Sequence, residues 1–165
     1  MAAGKSTVAE ALARRFPKSV HLRGDTFRRS IVSGREEMST APSDEALRQL
    51  RLRYRLAATV ADEYVRAGFT TIVQDTIIGP MLNEFVAMTA TRPLSLVVLS
   101  PSVEVVVQRE VARSKTGYTS FTPGDLDMVH QSTTPRIGLW IDSSDMTVEE
   151  TADLILGRQA EARIS

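Results

Sequence analysis

Ala3-Gly4-Lys5-Ser6-Thr7 is the stretch on which the fold of this chain turns. Val8, Ala11 and Leu12 follow it at helical spacing, so the Gly-Lys-Ser triplet stands at the opening of a helix. The free N–H groups of a helix start point at whatever anion lies ahead of them, and the helix dipole favours its negative charge. Lys5 adds a charge able to reach the outer phosphates of a polyphosphate, and the Ser6 hydroxyl is suited to ligate Mg²⁺. Ala3, Gly4, Lys5, Ser6 and Thr7 are therefore candidate phosphate-binding residues, with Ser6 also a candidate metal ligand. The rival reading is a chance helix start.

The complete phosphate-loop pattern is G-x-x-x-x-G-K-S/T after a buried strand, and only its second half is present. Met1 stands where the glycine-rich part should be half complete. The expectation is a sheet without its central strand, and a native reading frame that starts upstream or a chain that has been shortened.

Beyond the motif, helices and strands alternate. Residues 5–16 read as a helix stopped by Pro17, 19–23 as a strand, and 25–33 as a short helix closed by Gly34. The longest helix spans 43–67, with Leu47, Leu50, Tyr54, Ala57, Ala61, Tyr64 and Val65 as its core-facing stripe. Ser43 caps it and Gly68 ends it. A β-branched strand follows over 69–75, then a helix over 80–90. Residues 94–99 read as one continuous apolar strand, buried on both faces of a parallel sheet. Helices are expected over 102–115 and 125–131, a strand over 138–142, and a last helix from the Thr147-Val148-Glu149-Glu150 capping box to about residue 162. This alternation means an α/β fold with a mostly parallel sheet flanked by helices.

At 165 residues with 42% hydrophobic and 24% charged content, the chain fits a single soluble domain. No run is long and apolar enough for a membrane span, and the N-terminus does not read as a signal peptide. The absence of cysteine excludes disulfides and thiolate metal sites, and makes a reducing cytoplasm the simplest compartment. The net charge is zero but uneven: residues 1–66 carry 13 Lys/Arg against 8 Asp/Glu, and the remainder 7 against 12. That balance points to a small anionic ligand rather than to nucleic acid or a membrane surface.

Three further segments carry a resemblance. Leu22-Arg23-Gly24-Asp25-Thr26-Phe27-Arg28-Arg29 is similar to the second-strand segment of small P-loop kinases, where Gly-Asp-x-x-Arg is typical of adenylylsulfate kinases. Thr71-Ile72-Val73-Gln74-Asp75 looks like the third strand of the chloramphenicol phosphotransferase-like group. Arg109, Arg113 and Lys115, before a Gly-containing loop, resemble the lid of these kinases, here near 109–124.

The resemblance implies a three-layer P-loop NTPase fold that uses ATP and Mg²⁺ to move a γ-phosphate to the hydroxyl of a small molecule. It places Asp25 opposite the acceptor hydroxyl, Arg28 and Arg29 as a clamp on the acceptor, and Asp75 in the outer shell of Mg²⁺. Lys5, Arg109 and Arg113 would stand on the transferring phosphate. Each has a plainer rival: a helix cap for Asp25 or Asp75, and a solvated helix face for the arginines. The rival function is a nucleotide-binding module without transferase activity. His21, His130 and the Arg48, Arg51 and Arg55 stripe are set aside as structural, and Trp140 as core packing rather than base stacking.

Overall fold

The computed structural model describes residues 3–112 and 122–164. In chain order these form α1 (Lys5–Ala13), β1 (Ser19–Arg23), α2 (Asp25–Arg29), α3 (Asp44–Arg66), β2 (Thr70–Gln74), α4 (Met81–Met88), β3 (Leu94–Ser95) and β4 (Val97–Leu99). The order continues with α5 (Val103–Val111), α6 (Pro123–Thr133), β5 (Leu139–Ile141), α7 (Val148–Gly157), α8 (Gln159–Ala162) and β6 (Arg163–Ile164). Arg113 and Lys115 of the expected lid lie outside the described residues.

Two parallel strand pairs make the sheet. β1 runs beside β2 with Ser19 opposite Thr70 and Arg23 opposite Gln74, and β4 runs beside β5 with Val97 opposite Leu139. Among the described residues no strand joins β2 to β4, so the central position of the fold is not filled. Helix α1 spans the break. It packs along β1 and β2, and through Val8 and Leu12 it enters the core formed by Leu139, Ile141 and Ile155 with Val97 and Leu99. A second core lies on the opposite face, where Tyr54, Ala57, Ala58 and Phe85 meet Phe27 and Val73. The arrangement is three layers: α1 and α7, the strands, then α3 and α4.

Strand alternation decides what each side chain of β1 and β2 meets. Ser19 and His21 face α1, where the Ser19 hydroxyl donates to the Ala13 carbonyl and His21 Nδ1 pairs with Glu10 at 2.9 Å. Gln74 faces α1 as well, and its neighbour Asp75 turns the other way, to α3.

The caps behave as the sequence predicts. Ser43 accepts from the Ala46 N–H to begin α3, and Thr147 and Glu150 close a reciprocal capping box at α7. Several expectations are corrected. The 94–99 strand is broken at Leu96, whose N–H donates to Ala162 while its carbonyl accepts from Leu139. Its first part pairs antiparallel with the unforeseen β6. Val97, Val98 and Leu99 are only half-buried, because one edge of β4 has no neighbouring strand among the described residues.

Helix α2 ends four residues early, at Arg29, because Ser30 turns its hydroxyl back to the Thr26 carbonyl and Ile31 closes a tighter turn onto Arg28. The final helix breaks at Arg158. α6 starts earlier than expected, with Thr122 and Asp125 as a capping box around Pro123. Tyr64 of the proposed stripe is 38% exposed and lies edge-on to Phe69, while the charged Asp62 takes a buried position on α3.

Asp62 is buried because it caps the chain beyond α4, accepting from the Ala90 and Thr91 N–H groups at 3.0 and 2.9 Å. Burial pushes its carboxyl up, and the hydrogen bonds from Thr91 and Ala90 outweigh that and hold its pKa below the ordinary value. The contribution of Asp62 is thus present above the unfolded carboxylate pKa and lost as pH falls through the lower folded value. Asp62→Ala should cost about 1–3 kcal/mol at neutral pH in a chemical melt. The cost should shrink toward pH 3; an equal cost at both pH values would contradict this role.

Candidate phosphate and acceptor site

Gly4 precedes α1 with φ +79°, a left-handed conformation that glycine adopts without steric cost. Val8 N–H bonds back to the Gly4 carbonyl, and no side chain caps the helix. The Thr7 hydroxyl is turned away from an anion in front of the helix, donating to the Gly4 carbonyl at 2.8 Å. With no acidic residue in the first turn, the amino end of α1 offers N–H donors and an uncompensated positive dipole. Those groups fit a phosphate. The Ser6 hydroxyl donates to Gln74 Oε1 at 3.0 Å, which leaves its oxygen lone pairs for a cation. Among the described residues no group of three or more His, Asp and Glu stands where it could hold a metal ion.

Arg109 comes to this end of the molecule from α5. Its Nη1 lies 3.9 Å from where a Cβ on Gly4 would stand, and its Nη2 donates to the Ser143 and Ser144 carbonyls at 3.0 and 3.4 Å. His130 of α6 stacks on Trp140, with ring centroids 4.9 Å apart, while Arg136 lies 3.9 Å from the Trp140 centroid. Both ring faces of Trp140 thus have a neighbour within the chain. Burial pulls the His130 pKa down, the positive charges of Arg136 and Lys5 act the same way, and Asp127 opposes them. His130 is therefore a neutral imidazole at pH 7, within electrostatic reach of Lys5.

A second group of charges surrounds Gly24 and Asp25. Asp25 opens α2 and accepts from Arg28 at 3.1 Å and Arg29 at 2.6 Å; Arg28 also pairs with Glu37. Partial burial pushes the Asp25 carboxyl up, but the hydrogen bond and charge of Arg28 and the charge of Arg29 outweigh it and hold it below the ordinary value. Asp75 follows β2 with its side chain 1% exposed, and both its oxygens are engaged by Arg53 of α3, one of them also by the Thr76 N–H. Gly24 is glycine for this reason: a Cβ there would overlap the Asp75 carboxylate and approach its Cγ to 2.7 Å. Beside the pair, Tyr54 donates to the Thr76 carbonyl at 2.9 Å, and burial pushes its phenol up to about 12.

The predicted residues thus fall into two adjoining groups. Gly4, Lys5, Ser6, Thr7 and Arg109 gather at the start of α1; Asp25, Arg28, Arg29 and Asp75 gather between β1, α2 and α3. The Ser6–Gln74 bond links them, since Gln74 adjoins Asp75. Arg53 was missed, although its signal is present: it lies three residues after Leu50 and before Tyr54, a charge on the apolar stripe.

A family model described as an AAA domain matches residues 1–132. The chain belongs to this AAA-domain family. The matched residues include Gly4-Lys5-Ser6-Thr7. Among solved structures, an unliganded sugar kinase from Janibacter sp. HTCC2649 superposes with a TM-score of 0.70 at 18% identity, covering 98% of this chain and 90% of its own. A protein described as a "putative kinase" from Chloroflexus aurantiacus j-10-fl gives 0.55 at 18% identity, covering 97% and 91%. No curated protein matches the chain in sequence. At these identities the likeness is one of fold: the AAA-domain chain is kinase-like in architecture. Among its described residues no helix is long and apolar enough to cross a membrane.

Arg53→Met should cost about 3–5 kcal/mol, because it strands the Asp75 carboxylate in the interior. Arg53→Met with Asp75→Leu should recover at least half of that, since the charge then goes with its partner. Urea melts of the wild type and both variants check this; a loss under about 1 kcal/mol for Arg53→Met would mean water reaches Asp75.

Proposed function

We propose that the chain is an ATP-dependent phosphotransferase that moves the γ-phosphoryl group to a hydroxyl of a small molecule. The observation that carries this reading is the amino end of α1, which no side chain caps and whose first turn holds no acidic residue, with Lys5 and Ser6 on it and Arg109 beside Gly4. Mg²⁺-ATP, when bound, supplies the phosphoryl group and neutralises part of its charge. The N–H groups of Lys5, Ser6 and Thr7 hold phosphate oxygens, and Lys5 places its ammonium against the outer phosphates. Ser6 offers its oxygen to the cation while donating to Gln74. Asp75, with both oxygens already bonded, acts toward that cation through its charge and through water rather than as a direct ligand.

Arg109 supplies positive charge where the phosphoryl group passes, and Arg113 is assigned the same part from its place four residues on. Asp25 accepts the hydrogen bond of the acceptor hydroxyl and fixes its direction, with Arg28 and Arg29 holding the carboxylate in place. Its lowered pKa keeps it ionised at neutral pH, and makes it an orienting group more than a strong base. We assign no nucleic-acid or membrane partner, and place the chain in the cytoplasm.

A thermal-melt titration with Mg²⁺-ATP tests the reading. At a hundredfold excess over its dissociation constant the nucleotide should stabilise the wild type by about 2.7 kcal/mol, and Lys5→Ala should lose the shift. No shift in the wild type would remove the reading. A shift without ADP release across a broad hydroxyl panel would leave a nucleotide-binding module without transferase activity.

A further inference from the structure

Next to Asp25, α2 and α3 enclose a groove of about 50 Å³ lined by Phe27, Ile31, Leu52 and Leu56, together with Arg28 and Arg53. That volume holds roughly three or four waters, or a branched group of three or four carbons. Leu52 and Leu56 stand one helical turn apart on α3, each 39% exposed, so they present apolar surface to the groove. Gln49 also borders the groove; it ties the chain between α2 and α3 down by donating to the Gly34 carbonyl and accepting from the Glu36 N–H.

The charges at the groove are already matched. Arg28 is bonded by Asp25 and Glu37, and Arg53 by Asp75, so three carboxylates surround the two lining guanidiniums. An anionic ligand on Arg53 would have to displace the buried Asp75 carboxylate and strand it, and on Arg28 it would compete with the two carboxylates of Asp25 and Glu37. An uncharged ligand disturbs none of these bonds. Its hydroxyl can donate to Asp25 while its apolar part covers the two leucines.

We propose that the groove receives the phosphate acceptor, and that the acceptor is an uncharged alcohol bearing a small branched apolar substituent. The assignment rests on the phosphotransferase reading and narrows it: the arginines beside Asp25 hold the site's own carboxylates instead of clamping an anionic substrate. Selection against anions is built in, because the cations they would seek are occupied.

The test uses a matched pair without nucleotide: 3-methylbutane-1,2-diol and 2-hydroxy-3-methylbutanoate, which share an isopropyl group and a hydroxyl but differ by a carboxylate. In saturation-transfer NMR at equal concentration the diol should give a signal at least about fivefold stronger than the hydroxy acid. Leu52→Asp and Leu56→Asp should each remove it; both sites are partly exposed, and a circular-dichroism melt of each variant verifies its fold. Equal or stronger binding of the acid, no diol signal, or a diol signal untouched in both folded variants would overturn the proposal. The Mg²⁺-ATP melt on the same preparations separates the two readings. An ATP shift without diol binding removes the acceptor class and keeps the phosphotransferase. Diol binding without an ATP shift removes the groove's role as an acceptor site.

Discussion

The Asp75 carboxylate is the constraint around which the β1, β2, α2 and α3 half of the molecule is arranged. It closes β2, takes both hydrogen bonds of Arg53 from α3, bonds the Thr76 N–H and presses on the backbone at Gly24. Three elements are fixed by one buried charge. Such a pair adds little net stability, because desolvating both ions offsets their attraction. Its effect here is geometric. With Arg53 pinned to Asp75 and Gly24 seated against it, the start of α2 is fixed, and with it Asp25, which bonds the Arg28 that lines the groove between α2 and α3.

The phosphate half rests on a different device. The two parallel strand pairs are not hydrogen-bonded to one another among the described residues, and α1 is the element that touches both. Small residues make that contact close: Ala9, Ala11 and Ala13 are buried along the helix together with Val8. The same helix carries the phosphate motif at its amino end. Movement of one strand pair against the other would therefore be felt at Lys5 and Ser6, and the Ser6–Gln74 bond ties that end specifically to β2.

What the sequence disclosed follows from how local each signal is. The Gly4-Lys5-Ser6-Thr7 helix start, the Ser43 and Thr147 caps and the β-branched β2 strand depend on neighbours in the chain, and all stand where their residues predicted. The fate of 94–99 could not be read that way, since a mostly apolar run such as Leu94-Ser95-Leu96-Val97-Val98-Leu99 looks alike whether both edges are paired or one is not. The break at Leu96 depends on β6, almost seventy residues away. Arg28 and Arg29 illustrate a further limit. Their positions beside Asp25 were legible, but that Glu37 and Asp25 occupy the Arg28 guanidinium depends on a loop that carries no pattern of its own. Arg53 stood in plain view on an apolar helix face and needed only the question of why a charge should be there.

The two halves of the site treat positive charge in opposite ways, and the difference is the physical basis for reading one as the phosphate side and the other as the acceptor side. Around Gly24, each of the two lining guanidiniums is bonded to carboxylates, so little net field reaches a ligand. At the start of α1 the printed bonds of Arg109 are to backbone carbonyls. Arg109 donates to the Ser143 and Ser144 carbonyls, no acidic residue stands in the first turn, and His130 gives up its proton to burial and to the charges of Arg136 and Lys5. A carbonyl orients a guanidinium without cancelling its charge; a carboxylate does both. The helix dipole adds to the positive potential at the start of α1. On the proposed reading, a polyanion would be drawn to one end of the Ser6–Gln74 link and an uncharged hydroxyl accepted at the other, a separation that would hold the two reactants of a phosphoryl transfer in fixed order.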